Sequence, residues 1–217
     1  MAIFKFAGGK GRMLKKYLPY FSNLSPTPSI FIDYFGGTGA ISVWFKTLYP
    51  KVHIVLNEMN TEIYGILKNV LCGYETFSRT LAYYDTIYTR LSEVYSWDES
   101  EEKSDVYRAR KTFYLQLRER YADLNNFGSE AEKYATLYFM LQTNFGGIWQ
   151  RRVKDNIYYT PFGNGKQKGS VIRWRELENF REALKDATLL NRNYIDVNYE
   201  VENSIHYFDP PYLDSHT

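Results

Sequence analysis

Asp209-Pro210-Pro211-Tyr212 sets a carboxylate, an amide carbonyl and an aromatic ring behind a short apolar run, Ser204-Ile205-His206-Tyr207-Phe208. The run is short and β-rich, which predicts a buried strand. The prolines must end it, because neither donates a ladder hydrogen bond and each fixes φ. Such a rigid corner can hold a planar amine. Asp209 and the Pro210 carbonyl would accept its two protons, and Tyr212 would stack on the ring that carries it. The plain alternative is a strand that ends in a Pro-Pro turn with a solvated aspartate. The tetrapeptide alone does not choose between the two.

A second constellation could hold a nucleoside. Ile30-Phe31-Ile32-Asp33-Tyr34-Phe35 reads as a strand, Gly36-Gly37-Thr38-Gly39 as a tight turn, and Ala40 to Leu48 as a helix that stops before Pro50. Strand, glycine turn and helix open a Rossmann-like unit, with room for a nucleoside at the helix N-terminus. A second strand, Val52 to Leu56, ends at Asn57-Glu58. That is about 20 residues past the glycines, where an acidic ribose-binding residue belongs, and Glu58 can accept both ribose hydroxyls. Glycine turns alone are common; the second strand and its terminal acid strengthen the reading. His53, inside that strand, reads as structural. Upstream, Gly8-Gly9-Lys10 lies between a hydrophobic start and a helix with Met13, Leu14, Tyr17 and Leu18 on one face. The glycines let backbone approach a ligand, and Lys10 could meet an anionic group. An ordinary Gly-Gly loop with a solvated lysine is the competing reading.

Different elements intervene between these stretches. Residues 60–143 keep helical spacing throughout: Ile63, Ile66, Leu67, Val70, Leu71 and Tyr74, then Leu81, Tyr84, Ile87, Leu91 and Val94. An acidic connector leads to Val106, Ala109, Phe113, Leu117, Tyr121 and Leu124, and Ser129-x-x-Glu132 forms a capping box for a last helix. The aromatic stripes here read as core. Residues 144–175 then carry seven Lys/Arg against the single acid Asp155. Asn144, Gly147, Trp149, Gln150, Arg151, Arg152, Lys154, Lys166 and Lys168 interleave glycine, aromatic and basic side chains. That mixture suits a hairpin or loop laid along a phosphate backbone, although a solvated basic loop is the bland equivalent. One more amphipathic helix (Trp174, Leu177, Phe180, Leu184) and a strand at Ala187 to Leu190 precede Asn193-Tyr194-Ile195-Asp196.

Composition sets the outer limits. The chain has 217 residues, 44% of them hydrophobic, and a formal charge of only +2, so a nucleic-acid partner must be argued from local charge. The single Cys72 excludes an internal disulfide and a cysteine-based metal cluster. No apolar run approaches the ~18 residues of a membrane span, and the N-terminus lacks a signal-peptide layout. The expectation is a soluble cytoplasmic protein.

In chain order, the quoted motifs are Phe6-Ala7-Gly8-Gly9-Lys10, Phe35-Gly36-Gly37-Thr38-Gly39, Asn57-Glu58, Pro161-Phe162-Gly163 and Asp209-Pro210-Pro211-Tyr212. The set resembles the DNA adenine N6-methyltransferases of the Dam type, and the resemblance runs from near residue 4 to the last residues. It implies an α/β fold, a Rossmann-like S-adenosylmethionine-dependent methyltransferase sheet. Residues 1–59 and 171–217 would form the catalytic domain, and 60–170 an inserted helical target-recognition region with a basic hairpin. By the same resemblance, Phe6 to Lys10, Asp33, Phe35 to Gly39, Glu58 and Tyr194 would bind S-adenosylmethionine, and Asp209 to Tyr212 would hold the adenine. The partner would be double-stranded DNA, the origin bacterial or phage, and no metal is implied.

Two departures stand out. The family's recognition hairpin usually carries Asn-Gly-Leu-x-Arg, where this chain has Gly146-Gly147-Ile148-Trp149-Gln150. Gln suits adenine better than guanine, so the recognition sequence is not expected to be simply GATC, although Arg151 stands one residue out of step. Family members also continue past the Asp-Pro-Pro-Tyr motif with further strands. The chain ending at Thr217 is therefore expected to leave the last strand at a sheet edge, to be a poor catalyst by itself, and to self-associate or accept a complementing C-terminal segment. The alternatives are a catalytically impaired fragment or DNA-binding accessory protein, or a methyltransferase acting on cytosine N4 or a glutamine amide. A nicotinamide-dependent dehydrogenase would share the glycine turn but leave Asp-Pro-Pro-Tyr unexplained.

Overall fold

The computed structural model describes residues 2–5, 10–95, 104–123, 126–152, 154, 157–199 and 201–210. The chain divides into two compact units: residues 1–3, 8–72 and 174–217 form the first, residues 4–7 and 73–173 the second.

The first unit is built on a parallel four-stranded sheet of β1 (Ile30–Asp33), β2 (His53–Asn57), β3 (Thr188–Leu190) and β4 (Ser204–Tyr207), in the order β3-β2-β1-β4. The helices of this unit are α1 (Leu14–Phe21), α2 (Ala40–Leu48), α3 (Thr61–Cys72) and α7 (Trp174–Leu184). β1 is buried at every position, as a strand covered on both faces must be. On one face Phe31 stacks on Phe45 of α2 at 4.1 Å. On the other, Ile30, Ile32, Tyr34 and Val55 pack against Val197 from the segment after β3. Pairing runs Ile32↔Val55 on one side of β1 and Ile32↔His206 on the other.

This strand order decides where a ligand can sit. The chain steps outward from β1 to β2 to β3, then returns to the far side of β1 as β4. The reversal places a topological switch point between the carboxyl ends of β1 and β4, the usual binding crevice of an open α/β sheet. β1 and β2 lie where the sequence predicts, although β1 ends at Asp33 and Tyr34-Phe35 already belong to the turn. β4 has one described neighbour, β1, and its residues are only half-buried or exposed.

The second unit holds α4 (Tyr74–Val94), α5 (Asp105–Ala122) and α6 (Glu130–Thr143). The helical region is predicted to open at residue 60, but α3 belongs to the first unit and the break falls at Gly73. α6 is buried from Tyr134 to Thr143 without interruption, the pattern of a central helix rather than a surface one. Its capping box is half realised. Ser129 Oγ accepts from Glu132 N at 3.2 Å, while Glu132 reaches back to Gly128 N and pairs with Arg120.

Candidate active site

Four segments of the first unit meet the carboxyl edge of the sheet. The turn after β1 is a compact glycine structure. Gly36 N donates to Asn57 O at 2.7 Å and Gly39 N to Gly36 O at 2.8 Å. A Cβ at Gly36 would stand 2.5 Å from Leu56 Cδ2, and one at Gly39 would stand 2.4 Å from Phe180 Cε2. Gly37 and Gly39 both adopt left-handed φ, 52° and 67°, where glycine is at ease. Thr38 is buried between them. Only glycine at 36 and 39 lets β2 and α7 close against the turn, while the side of Gly37 where a Cβ would point is open.

Glu58, at the end of β2, is tied to this turn. Its Oε2 accepts from Gly37 N and its Oε1 from Asn60 N, both at 2.8 Å. Burial raises its pKa, and the two amides oppose the shift. Each oxygen keeps a lone pair, so the carboxylate arrives oriented and still able to accept. Asp33 is 1% exposed. Ser42 Oγ donates to its Oδ2 at 2.9 Å, and its Oδ1 has no hydrogen-bond partner among the described residues. Burial pushes the Asp33 carboxyl up to about 7, against the pull of the Ser42 hydroxyl.

Tyr194 opens a short 3-10 turn (Tyr194–Asp196) capped by Asn193, and its ring lies 5.3 Å from that of Phe35. Asp209 follows β4. Its Oδ1 meets Lys10 Nζ at 3.0 Å, and neither side chain is more than a quarter exposed. Behind it, Phe208 stacks on Tyr34 with ring centroids 4.1 Å apart, and Tyr34 N donates to Tyr207 O. Lys10, Asp33, Phe35, Gly36, Gly37, Thr38, Gly39, Glu58, Tyr194 and Asp209 therefore gather along one sheet edge. Phe6, Ala7, Gly8, Gly9, Pro211 and Tyr212 lie outside the described residues.

Some contributors carry no chemical signature in sequence. Asn57 ties the Tyr34 and Arg192 segments to the end of β2 through three side-chain hydrogen bonds. Tyr34 Oη and Ser204 Oγ hold the two ring nitrogens of His206 at 2.9 and 2.8 Å, bracing β4. The alternation of β4 could have placed His206 beside Tyr34 only once the register was known.

In the second unit the basic stretch is a hairpin. Arg152 N donates to Ile157 O, Tyr159 N to Gln150 O, and Phe145 N to Pro161 O. Gln150, Arg152, Lys154, Lys166 and Lys168 are exposed, and Trp149 and Arg151 are half-buried. Two sequence candidates face inward instead. Asn144 is buried; it donates to Ile148 O and Tyr158 Oη and accepts from Gly147 N. Gly147 packs so closely on residue 5 that a Cβ would stand 2.7 Å from Lys5 Cβ. Both shape the hairpin from within. Buried Arg110 of α5 anchors the following loop through the carbonyls of Gly165 (2.6 Å) and Gln167 (2.8 Å).

The glycine turn, Glu58 and Asp209 thus lie along the switch-point edge of a parallel α/β sheet. The sequence profile of the D12 class N6 adenine-specific DNA methyltransferases matches residues 6–217, and the chain belongs to that family of DNA methyltransferases. Among curated proteins it is similar to the type II methyltransferase M.MjaIII of Methanocaldococcus jannaschii, 24% identical over 218 aligned positions covering 96% of this chain and 68% of the relative. The resemblance read from the motifs is thereby established at the level of the family, and with it the adenine specificity and the methyltransferase sheet. No helix among the described residues is long and apolar enough to cross a membrane.

Proposed function

We propose that the protein transfers the methyl group of S-adenosylmethionine to N6 of an adenine flipped out of duplex DNA in the cytoplasm. The observation that carries this reading is the convergence of Glu58 and Asp209 on the switch-point edge of one sheet, with Lys10 seated against the Asp209 carboxylate. The Lys10 ammonium at 3.0 Å from Asp209 Oδ1 supports the reading of this oxygen as an acceptor for an N–H donor.

The first unit has the features a nucleoside cofactor requires. Glu58 keeps acceptor capacity for the ribose hydroxyls, Gly37 offers open backbone, and α2 points its N-terminus at the turn. The cofactor supplies an activated methyl on a sulfonium. What remains for the protein is to present a poor nucleophile, since the N6 lone pair is delocalised into the purine. Asp209 and the Pro210 carbonyl would accept the two N–H bonds and favour a more tetrahedral nitrogen. Positioning and electrostatics then do most of the work. N6 would form the new N–C bond as the C–S bond breaks, a neutral thioether would leave, and the proton shed by N6 would pass to the Asp209 carboxylate or to solvent. A base inside a duplex is out of reach of such a corner, hence the flip.

The basic hairpin supplies the DNA contact, with Arg151, Arg152, Lys154, Lys166 and Lys168 on phosphates. Exposed Gln150, where the family usually carries arginine, gives a recognition sequence other than strict GATC. Transfer of tritiated methyl to adenine-containing duplex DNA, with Asp209→Ala as the blank, tests the reading. Equal incorporation by both proteins would overturn it.

A further inference from the structure

Asn57 is 1% exposed at the last position of β2, and it joins three segments of the sheet edge. Its Nδ2 donates to Tyr34 O at 3.1 Å and to Arg192 O at 3.0 Å. Its Oδ1 accepts from Arg192 N at 3.1 Å. Its own carbonyl accepts from Gly36 N at 2.7 Å. The amide orientation is fixed by this network, because the reverse flip would set Oδ1 against two carbonyl oxygens.

The pattern demands asparagine. A carboxylate could accept from Arg192 N but would repel both carbonyls. An aliphatic side chain would leave the buried Tyr34 carbonyl and the Arg192 backbone without these partners. Glutamine, one methylene longer, would have to displace the strand end. The segments joined are those that carry the candidate site. Tyr34 precedes Phe35 and the glycine turn, Arg192 precedes Tyr194, and Glu58 follows Asn57 directly. Asn191 reinforces the same rim, donating from Nδ2 to Glu58 O (2.7 Å) and Met59 O (3.0 Å).

We infer that Asn57 is the positioning residue of the cofactor rim: it fixes the spacing between the glycine turn, Glu58 and the Tyr194 segment before a ligand arrives. The inference rests on the cofactor reading above. Asn57 touches neither cofactor nor target in this role; it acts through the backbone it holds. Rigid second-layer support of this kind is what keeps a site within a fraction of an ångström of its working geometry.

The test uses Asn57→Ala and Asn57→Asp in the full chain. Calorimetric titration with S-adenosylmethionine should show Kd rising by on the order of tenfold or more in both variants. Affinity for duplex DNA in the absence of cofactor should stay within about twofold, which a general loss of fold would not allow. Hydrogen exchange on the free Asn57→Ala protein supplies a readout independent of turnover. The amides of Gly36 and Arg192 should lose protection, while Ile32 and Val55, inside the strands, keep theirs.

Unchanged cofactor affinity in both variants, with wild type binding normally, would overturn the inference and leave the cofactor reading intact. Loss of protection throughout β1 and β2 would also overturn it, reducing Asn57 to a fold determinant. A wild-type protein that binds no S-adenosylmethionine would instead remove the cofactor reading, and the inference with it.

Discussion

Lys10 Nζ lies 3.0 Å from Asp209 Oδ1, joining the segment before α1 to the segment after β4. The contact puts a cation on the oxygen proposed to accept an amine proton. A nitrogen attacking a sulfonium gains positive charge, so an ammonium held there would oppose the transfer. The proposed reaction therefore requires Lys10 to leave the carboxylate before an amine takes its place.

Two energy scales separate the structural and chemical roles of this pair. Both side chains retain some solvent contact, so a double-mutant cycle of Lys10→Ala and Asp209→Ala in urea unfolding should give a coupling of about 1 kcal/mol or less. Methyl transfer by Asp209→Ala should fall by on the order of 100-fold or more, the loss expected for an electrostatic group at a reacting centre. Coupling of several kcal/mol would assign the pair to the fold instead.

Asp33 sets a pH dependence of stability. Burial raises its folded pKa to about 7, well above the ordinary aspartate value. The folded state therefore holds its proton more tightly than the unfolded chain. That contribution is fully present below about pH 4 and is lost as pH rises through about 7, on the order of 4 kcal/mol in all. Asn at this position still accepts from Ser42 and carries no charge to bury. Asp33→Asn should melt above wild type at pH 8, and the advantage should vanish by pH 4.5. Parallel melting curves across that range would refute the assignment.

Glu58→Ala should weaken S-adenosylmethionine binding at least tenfold, judged by two lost charge-assisted contacts to a diol. The same change removes the acceptor for Gly37 N and Asn60 N, so unfolding free energy should fall by about 1–3 kcal/mol. Glu58→Gln, which retains one carbonyl acceptor, should lie between. Calorimetry and chemical denaturation read the two effects separately, and equal cofactor affinity in all three proteins would exclude Glu58 from the site.

The hairpin makes a prediction in salt. Arg152→Ala, Lys166→Ala and Lys168→Ala should each lower DNA affinity and reduce the slope of log K against log salt by about 0.9 if each side chain meets one phosphate. Arg110→Lys should lower affinity through the loop geometry while leaving the count of phosphate contacts, and hence most of the slope, in place. Slopes unchanged in the three alanine variants would place the DNA elsewhere.

Much of the sheet edge was legible in the sequence because its parts have local signatures. The glycine turn, the acid after β2 and the Pro-terminated strand are each readable within a few residues. Tertiary partners were not. Nothing local announces that Asn57 would hold Tyr34 and Arg192, since their sequence separation is bridged only after β1, β2 and β3 align. Asn144 was hidden for a related reason: in sequence it is an asparagine beside glycines in a basic stretch, and only the fold shows its amide closing the turn from inside. The opening of the helical region at residue 60 follows the change to helical spacing, whereas the division between compact units falls at Gly73, which packing alone reveals.

The strand order has a consequence in time. β4 pairs with β1 across a large stretch of chain; Tyr34 and His206, joined by a hydrogen bond, stand 172 positions apart. At ribosomal rates of about 5–20 residues per second, the open side of β1 waits roughly 10–30 s for its partner to be made. The helical unit is synthesised within that interval, and its helices α4, α5 and α6 pack on one another, across shorter stretches of chain than β1 and β4. β1–β2 pairing can begin early, but the crevice between β1 and β4 cannot form until β4 is made. The carboxylate proposed to hold the target thus finds its place long after the glycine turn, and a nascent chain can own a finished turn well before it owns the proposed site.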